Sequence, residues 1–114
     1  RIEISQNFAR THELVLVLKG VPTVVVSDAG DVSLNSNGNP GMATAGMGDV
    51  LTGVIAGLIA QGVPSYRAAV LGVYLHGLAG DISAESTGFH GLMAQDVLDS
   101  IPKAIGLCLT KEQT

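Results

Sequence analysis

The stretch NPGMATAGMGDVLTGVIAGLIAQG, Asn39 to Gly62, sets small residues and one carboxylate, Asp49, directly before an apolar run. That run has helical spacing. Val50, Val54 and Leu58 form one row at i+4, and Leu51, Ile55 and Ile59 form the next, which predicts a helix over about 48–61. Gly53, Ala56, Gly57 and Ala60 supply close-approach surfaces, and Gly62, followed by Pro64, ends the helix. Upstream, residues 36–48 hold four glycines and one proline and read as an irregular loop. Small residues let a backbone approach a ligand, and glycine permits the positive φ that turns N–H groups inward. The helix that follows leaves its first N–H groups unpaired, with the positive end of its dipole facing the loop. Together these features describe an anion site suited to phosphate.

Asp49 has two readings. A carboxylate beside a phosphate site repels the ground-state ligand, so a chemical duty would account for it: taking the proton from an attacking hydroxyl during phosphoryl transfer. Alternatively it is an ordinary first-turn helix residue, favoured there by the dipole. The loop is not a Walker A, because no Gly-Lys-Ser/Thr follows. It is not a Rossmann fingerprint, because the strand before it ends ~10 residues too early.

The rest of the chain predicts an α/β arrangement. Residues 7–10 end a helix that begins upstream. LVLVLK, residues 14–19, is a continuous apolar run and reads as a strand buried on both faces, the pattern of a parallel sheet. Residues 23–27 and 32–35 give two further strands around the turn DAGD. After the loop come three helices: the one over 48–61, one capped by Ser65 and running to about Ser83, and one over 93–107 that Pro102 bends or splits. In the second of these, Ala68, Leu71, Leu75, Leu78 and Ile82 are expected to face inward. Three strands are few for helices this apolar, and strand 14–19 asks for neighbours on both edges. The missing strands are expected from another chain or from an N-terminal portion. Charged residues are only 14% of the chain, so part of the surface is expected to be covered.

Composition narrows the function further. A formal net charge of −4 leaves no basic footprint for nucleic acid. No apolar run approaches the roughly 20 residues that span a bilayer, and residues 1–4 do not open a signal peptide. The lone Cys108 rules out an internal disulfide and suits a reducing, cytoplasmic compartment. No His/Cys set has zinc-site spacing, and no residue is assigned to a metal.

The segment GNPGMATAGMGDVLTGVIAGLIAQG closely resembles the signature of the ADP/ATP-dependent NAD(P)H-hydrate dehydratases, carbohydrate-kinase-like domains of the ribokinase superfamily. The resemblance extends through LVLKGVPTVVV, AAVLGVYLHGLAGD and GLMAQDVLDSIPKAI, over residues 13 to 107. It implies a ribokinase-like three-layer sandwich, of which residues 1–114 are the C-terminal portion of one domain. The implied reaction repairs damaged cofactor: ADP or ATP phosphorylates the hydroxyl of hydrated NADH or NADPH (the S epimer), and loss of phosphate restores the dihydronicotinamide ring. Carried over by position, Lys19, Gly20, Val21, Pro22 and Thr23 match the segment that contacts the nucleotide. Gly48 matches the nucleotide-binding glycine of an anion hole formed with Ala45, Gly46 and Met47. Asp49 matches the residue that meets the hydrated substrate and serves as base. The family loop typically reads Gly-Gly-Ser/Thr-Gly-Asp, so Ala45 and Met47 depart from it. Met47 removes a possible side-chain hydrogen bond to phosphate.

Mg2+ is implied by nucleotide chemistry, held mainly by phosphates. The expected partners are ADP or ATP, the hydrated cofactor, the N-terminal portion of the same domain, and further copies of the chain in a homo-oligomer. Two rival readings remain: a vitamin-precursor kinase of the same superfamily, and a non-catalytic nucleotide-binding module. Taken without the resemblance, Lys19 is a strand-end lysine that snorkels to solvent, and Thr23 is a β-former. His76 reads as a core histidine, His90 as a surface residue, Asp81 as structural, and Asp96 and Asp99 as a solvated face.

Overall fold

Residues 2–113, which the computed structural model describes, run α1 (Ile2–His12), β1 (Leu16–Leu18), β2 (Thr23–Val26), β3 (Val32–Asn35), a 3-10 turn (Pro40–Met42), α2 (Met47–Ala60), α3 (Ser65–Thr87) and α4 (Ala94–Gln113). The chain divides into two compact units, Arg1–Ser36 with Ile55–Val73, and Asn37–Val54 with Tyr74–Thr114. Helices α2 and α3 each run from one unit into the other.

In the first unit the three strands form an antiparallel meander, β1-β2-β3, with Val17 opposite Val25 and Val24 opposite Leu34. This corrects the parallel reading of residues 14–19. Only four residues link Leu18 to Thr23, enough for a hairpin, whereas a parallel crossover takes a dozen or more. The strand is also shorter than its apolar run, because the residues at both ends are committed elsewhere. Leu14 N–H closes α1 by donating to Ala9 O at 3.0 Å, and Glu13 N–H donates to Arg10 O at 3.4 Å. That is a Schellman cap, with Leu14 packing back onto the cluster of Ala9, Val24 and Val26. At the other end Gly20 is held by the Thr23 hydroxyl. All three residues of β1 are only half-buried, so the two-faced burial expected of a parallel strand is absent too.

Ala9 and Val26 are fully buried and Val24 nearly so. Each buried valine contributes roughly 1.5–3 kcal/mol over exposure, so this small cluster is what joins α1 to the sheet.

The Schellman cap of α1 places Glu13 at φ 52°, a left-handed conformation that costs a side-chain-bearing residue roughly 1–2 kcal/mol. The same bond pattern ends α2, where Gly62 at φ 97° occupies the equivalent position without that cost. Replacing Glu13 with Gly is therefore expected to stabilise the protein by about 0.5–1 kcal/mol, after the greater freedom of glycine in the unfolded chain is offset. An upward shift in the urea midpoint checks this.

In the second unit, Asn39 caps the 3-10 turn by accepting from Gly41 N–H at 3.0 Å. Helix α4 starts on a reciprocal cap: Asp96 accepts from Met93 N–H while Met93 O accepts from Asp96 N–H, both at 3.0 Å. Asp96 is thus a capping residue rather than part of a plain solvated face. Helix α4 continues through Pro102 and is not split by it. Val97 and Ala104 are buried on α4, as is Leu92 just before it, and the Ser83 hydroxyl reaches the helix through Asp96 O at 2.9 Å and Ser100 Oγ at 2.6 Å.

Helices α2 and α3 differ in how far this chain covers them. Of the fourteen residues of α2, only Met47 and Leu51 are buried; Gly53, Ala56, Gly57, Ile59 and Ala60 are exposed. Helix α3 is buried along Ala68, Gly72, Val73, His76, Gly77, Ala79, Gly80 and Ser83. Ala68 and Leu75 are buried as expected, but Leu71, Leu78 and Ile82 are only half-buried. The small residues, which hydrophobicity ranks low, mark the more buried face because they admit the closest neighbours.

Candidate functional site

The residues singled out from sequence stand in two groups, one in each unit. Lys19 to Thr23 form the β1–β2 link of the first unit. The Thr23 hydroxyl donates to Gly20 O at 3.1 Å and accepts from Gly20 N–H at 3.3 Å, so one side chain clasps both main-chain groups of the turn. The Val21–Pro22 peptide is cis, and Val21 projects from the turn 97% exposed. Lys19 and Gly20 are exposed as well, while Pro22 and Thr23 are half-buried. Thr23 therefore does more than favour a strand. It fixes the shape of a link in which Lys19, Gly20 and Val21 are open to solvent.

Ala45 to Asp49 form the second group, at the start of α2 in the second unit. The loop is not wholly irregular, since the Pro40–Met42 turn lies within it. Beyond that turn Ala43, Thr44, Ala45 and Gly46 are exposed. Gly46 has φ 88°, and this reversal brings the chain into α2. Met47 N–H is taken up by Thr44 O at 3.3 Å, and the helical ladder begins with Val50 N–H donating to Gly46 O at 3.1 Å. The N–H groups of Gly48 and Asp49 lie ahead of that first rung, at the positive end of a fourteen-residue helix. Asp49 is exposed in the first turn. The Thr52 hydroxyl bonds back to Gly48 O at 2.9 Å and secures that turn from within.

The Met47 side chain is 3% exposed. It is an interior residue, so the departure from a hydroxyl at this position changes packing rather than the groups offered to an anion. Gly46 is the position with least freedom. A β-carbon there would stand 3.1 Å from Ala94 Cβ, in a conformation that side-chain-bearing residues rarely adopt. Gly46→Ala is expected to destabilise the protein by more than about 1 kcal/mol, measured as a lowered urea midpoint at unchanged slope.

Asp81, read from the sequence as structural, holds this loop together with Asn37 and Asn39, which sequence reasoning passed over. Gly38 N–H donates to Asp81 Oδ2 and Asn39 Nδ2 donates to Asp81 Oδ1, each at 3.0 Å, while Asn37 Nδ2 donates to Tyr74 O at 3.0 Å. The signal was available in the three asparagines of NSNGN and in the aspartate of LAGD, which lie about forty residues apart. Among the described residues no group of three His, Cys, Asp or Glu stands close enough to hold a metal ion. No described helix is long and apolar enough to cross a membrane.

Comparison with known proteins gives this geometry its context. The profile of the NAD(P)H-hydrate dehydratase family matches residues 1–103. The bifunctional NAD(P)H-hydrate repair enzyme of Moorella thermoacetica is 54% identical over 102 residues, covering 90% of this chain and 19% of that enzyme. Among solved structures, the ADP/ATP-dependent NAD(P)H-hydrate dehydratase from Bacillus subtilis, co-crystallised with ATP/Mg2+, superposes with a TM-score of 0.86 at 34% identity. It is matched over 93% of this chain and 38% of that one. A ribokinase-like superfamily protein from Enterococcus faecalis gives 0.79 at 34% identity, over 90% of this chain and 35% of that one. The α/β fold of the matched region is thus ribokinase-like, and the chain spans well under half the length of each of these relatives.

Proposed function

We propose that this chain, which belongs to the NAD(P)H-hydrate dehydratase family, supplies the nucleotide-binding part of an ADP- or ATP-dependent enzyme that dehydrates (S)-hydrated NADH and NADPH. It is the C-terminal portion of one ribokinase-like domain, completed by an N-terminal portion that brings most of the substrate contacts. The observation that carries the reading is the approach to α2. A glycine at positive φ leads into a helix whose first free N–H groups flank an exposed carboxylate, Asp49, and no lysine or arginine lies between Lys19 and Arg67. An anion received there is held by main-chain donors, which leaves the carboxylate free for proton transfer.

In this reading the Lys19–Thr23 link contacts the nucleotide, and the loop ending at Gly48 holds its terminal phosphates. Asp49 accepts the proton of the hydrate hydroxyl as that oxygen attacks the terminal phosphorus. The bond from phosphorus to the bridging oxygen breaks, releasing AMP from ADP or ADP from ATP. The phosphorylated hydrate then loses phosphate, which is a far better leaving group than hydroxide, together with a proton from the adjacent ring carbon that passes to solvent, and the electrons of that C–H bond re-form the ring double bond. Mg2+ would supply charge neutralisation on the phosphates. The donors at Gly48 and Asp49 fit a metal carried by the nucleotide rather than by a protein cage. A homo-oligomer in the cytoplasm belongs to the same proposal.

A coupled assay on the complete protein tests it. With ADP or ATP, hydrated NADH should be converted to NADH with stoichiometric release of inorganic phosphate. A stable phosphorylated product accumulating without NADH would point to the vitamin-precursor kinase. Nucleotide binding without turnover would leave a binding module.

A further inference from the structure

One acidic side chain outside the reaction just described organises the path of the loop. Asp81 lies four residues beyond Gly77 on α3, and therefore on the same face. Three contacts bring the start of the loop onto that face. Asn37 lies over Gly77, where a β-carbon would overlap its Oδ1, and its amide donates to Tyr74 O. Met42 lies over Gly80, where a β-carbon would overlap its Sδ. Between these two sockets both oxygens of Asp81 are used, Oδ2 by Gly38 N–H and Oδ1 by the Asn39 amide. The remaining polar atom of that amide, Asn39 Oδ1, accepts from Gly41 N–H and caps the 3-10 turn. The chain thus runs from a carboxylate, through one amide, to the turn that delivers Ala43 to Gly46. The glycines at 77 and 80 admit the loop, and the carboxylate fixes its register.

We propose that Asp81 is a positioning residue for the anion-receiving loop, acting through Asn39 to hold Gly38–Met42 on α3 and so to set the path of residues 43–49. This rests on the reading that residues 45–49 receive the nucleotide phosphates. Hydrogen-bond polarity makes the arrangement testable. Both partners of Asp81 are donors, so an asparagine at position 81 offers one acceptor and one donor to two donors. Exchanging the two side chains restores the match. In the double variant N39D/D81N, the amide now on α3 accepts from Gly38 N–H and donates to the carboxylate now at position 39, whose other oxygen accepts from Gly41 N–H. Net charge is unchanged.

The test compares wild type, D81N, N39D and N39D/D81N in the complete protein, by steady-state kinetics with ADP and by amide hydrogen exchange over residues 38–49. D81N is expected to lower kcat/KM for ADP about 10- to 100-fold, with a raised KM for ADP, since misplacement of order 1 Å carries that penalty. Exchange in the loop should quicken. N39D, which sets two carboxylates against each other, should be impaired as well. The double variant should return to within about threefold of wild type in both readouts, as expected of a directly coupled pair. Wild-type kinetics and exchange in D81N would overturn the proposal, as would a double variant no better than the singles. If the wild type shows no nucleotide-dependent dehydration, the functional reading falls, and the exchange measurements still decide whether Asp81 holds the loop.

Discussion

Asp49→Asn is expected to reduce turnover of hydrated NADH by roughly 10²–10⁴-fold, the usual effect of losing a positioned base. ADP affinity should stay unchanged or improve. The carboxamide occupies nearly the same volume but cannot accept the hydroxyl proton. Asp49 also sits in the first turn of α2, where a carboxylate gains typically 0.3–1 kcal/mol from the helix dipole. The substitution therefore carries a small stability cost, separable from catalysis because it appears in the urea midpoint and not in the rate of the folded enzyme. On the proposed reading, removing a negative charge near the phosphates does not weaken nucleotide binding. Calorimetric titration with ADP and single-turnover kinetics on the same sample separate the two effects. Full activity in the variant would leave Asp49 as a helix-start residue and nothing more.

The second large effect concerns residues 1–114 alone, which are expected to show no dehydratase turnover and to self-associate. Among the described residues β1 pairs only with β2, and β3 only with β2, so each outer strand has one edge without a partner strand. Leu34 on β3 is 59% exposed and Val32 38%. Helix α2 adds Ile59 at 44%, beside open positions at Gly53 and Gly57. Unpaired apolar strand edges are templates for pairing with other chains. Supplying the N-terminal portion, as one polypeptide or as a separate chain, should restore solubility and activity together. Gel filtration with a turnover assay on the isolated segment decides this. A monodisperse, fully active 114-residue protein would mean that the domain boundary has been misplaced.

What the sequence reveals depends on how local the determining physics is. The bounds of β2 and β3 and the start of α2 were readable within a residue or two, because valine runs, the DAGD turn and the glycine-to-helix transition all act over a few positions. The direction of β1 was misread from its composition, although the four-residue link already excluded a parallel pairing with β2. Its length was misread because Leu14 looks like a strand residue yet spends its N–H on closing α1. At the candidate site the loop and Asp49 stood out, since glycines before an apolar helix form a local pattern. Asp81 was readable as structural, but its partners were not, because they lie more than forty residues away. Met47 looked like a lost phosphate ligand, and only its burial reveals that the side chain at that position points inward.

That burial has a consequence for how such loops diverge. When an anion is received by main-chain N–H groups, the chemistry belongs to the path of the chain and not to the letters along it. Side chains at exposed positions such as Ala45 can then drift without penalty, and an interior one such as Met47 follows the fashions of the core. On the proposed reading Gly46, with its positive φ, and the carboxylate at 49 have the least freedom. A search pattern that insists on a hydroxyl at position 47 would pass over this chain, whereas one written in backbone geometry would keep it.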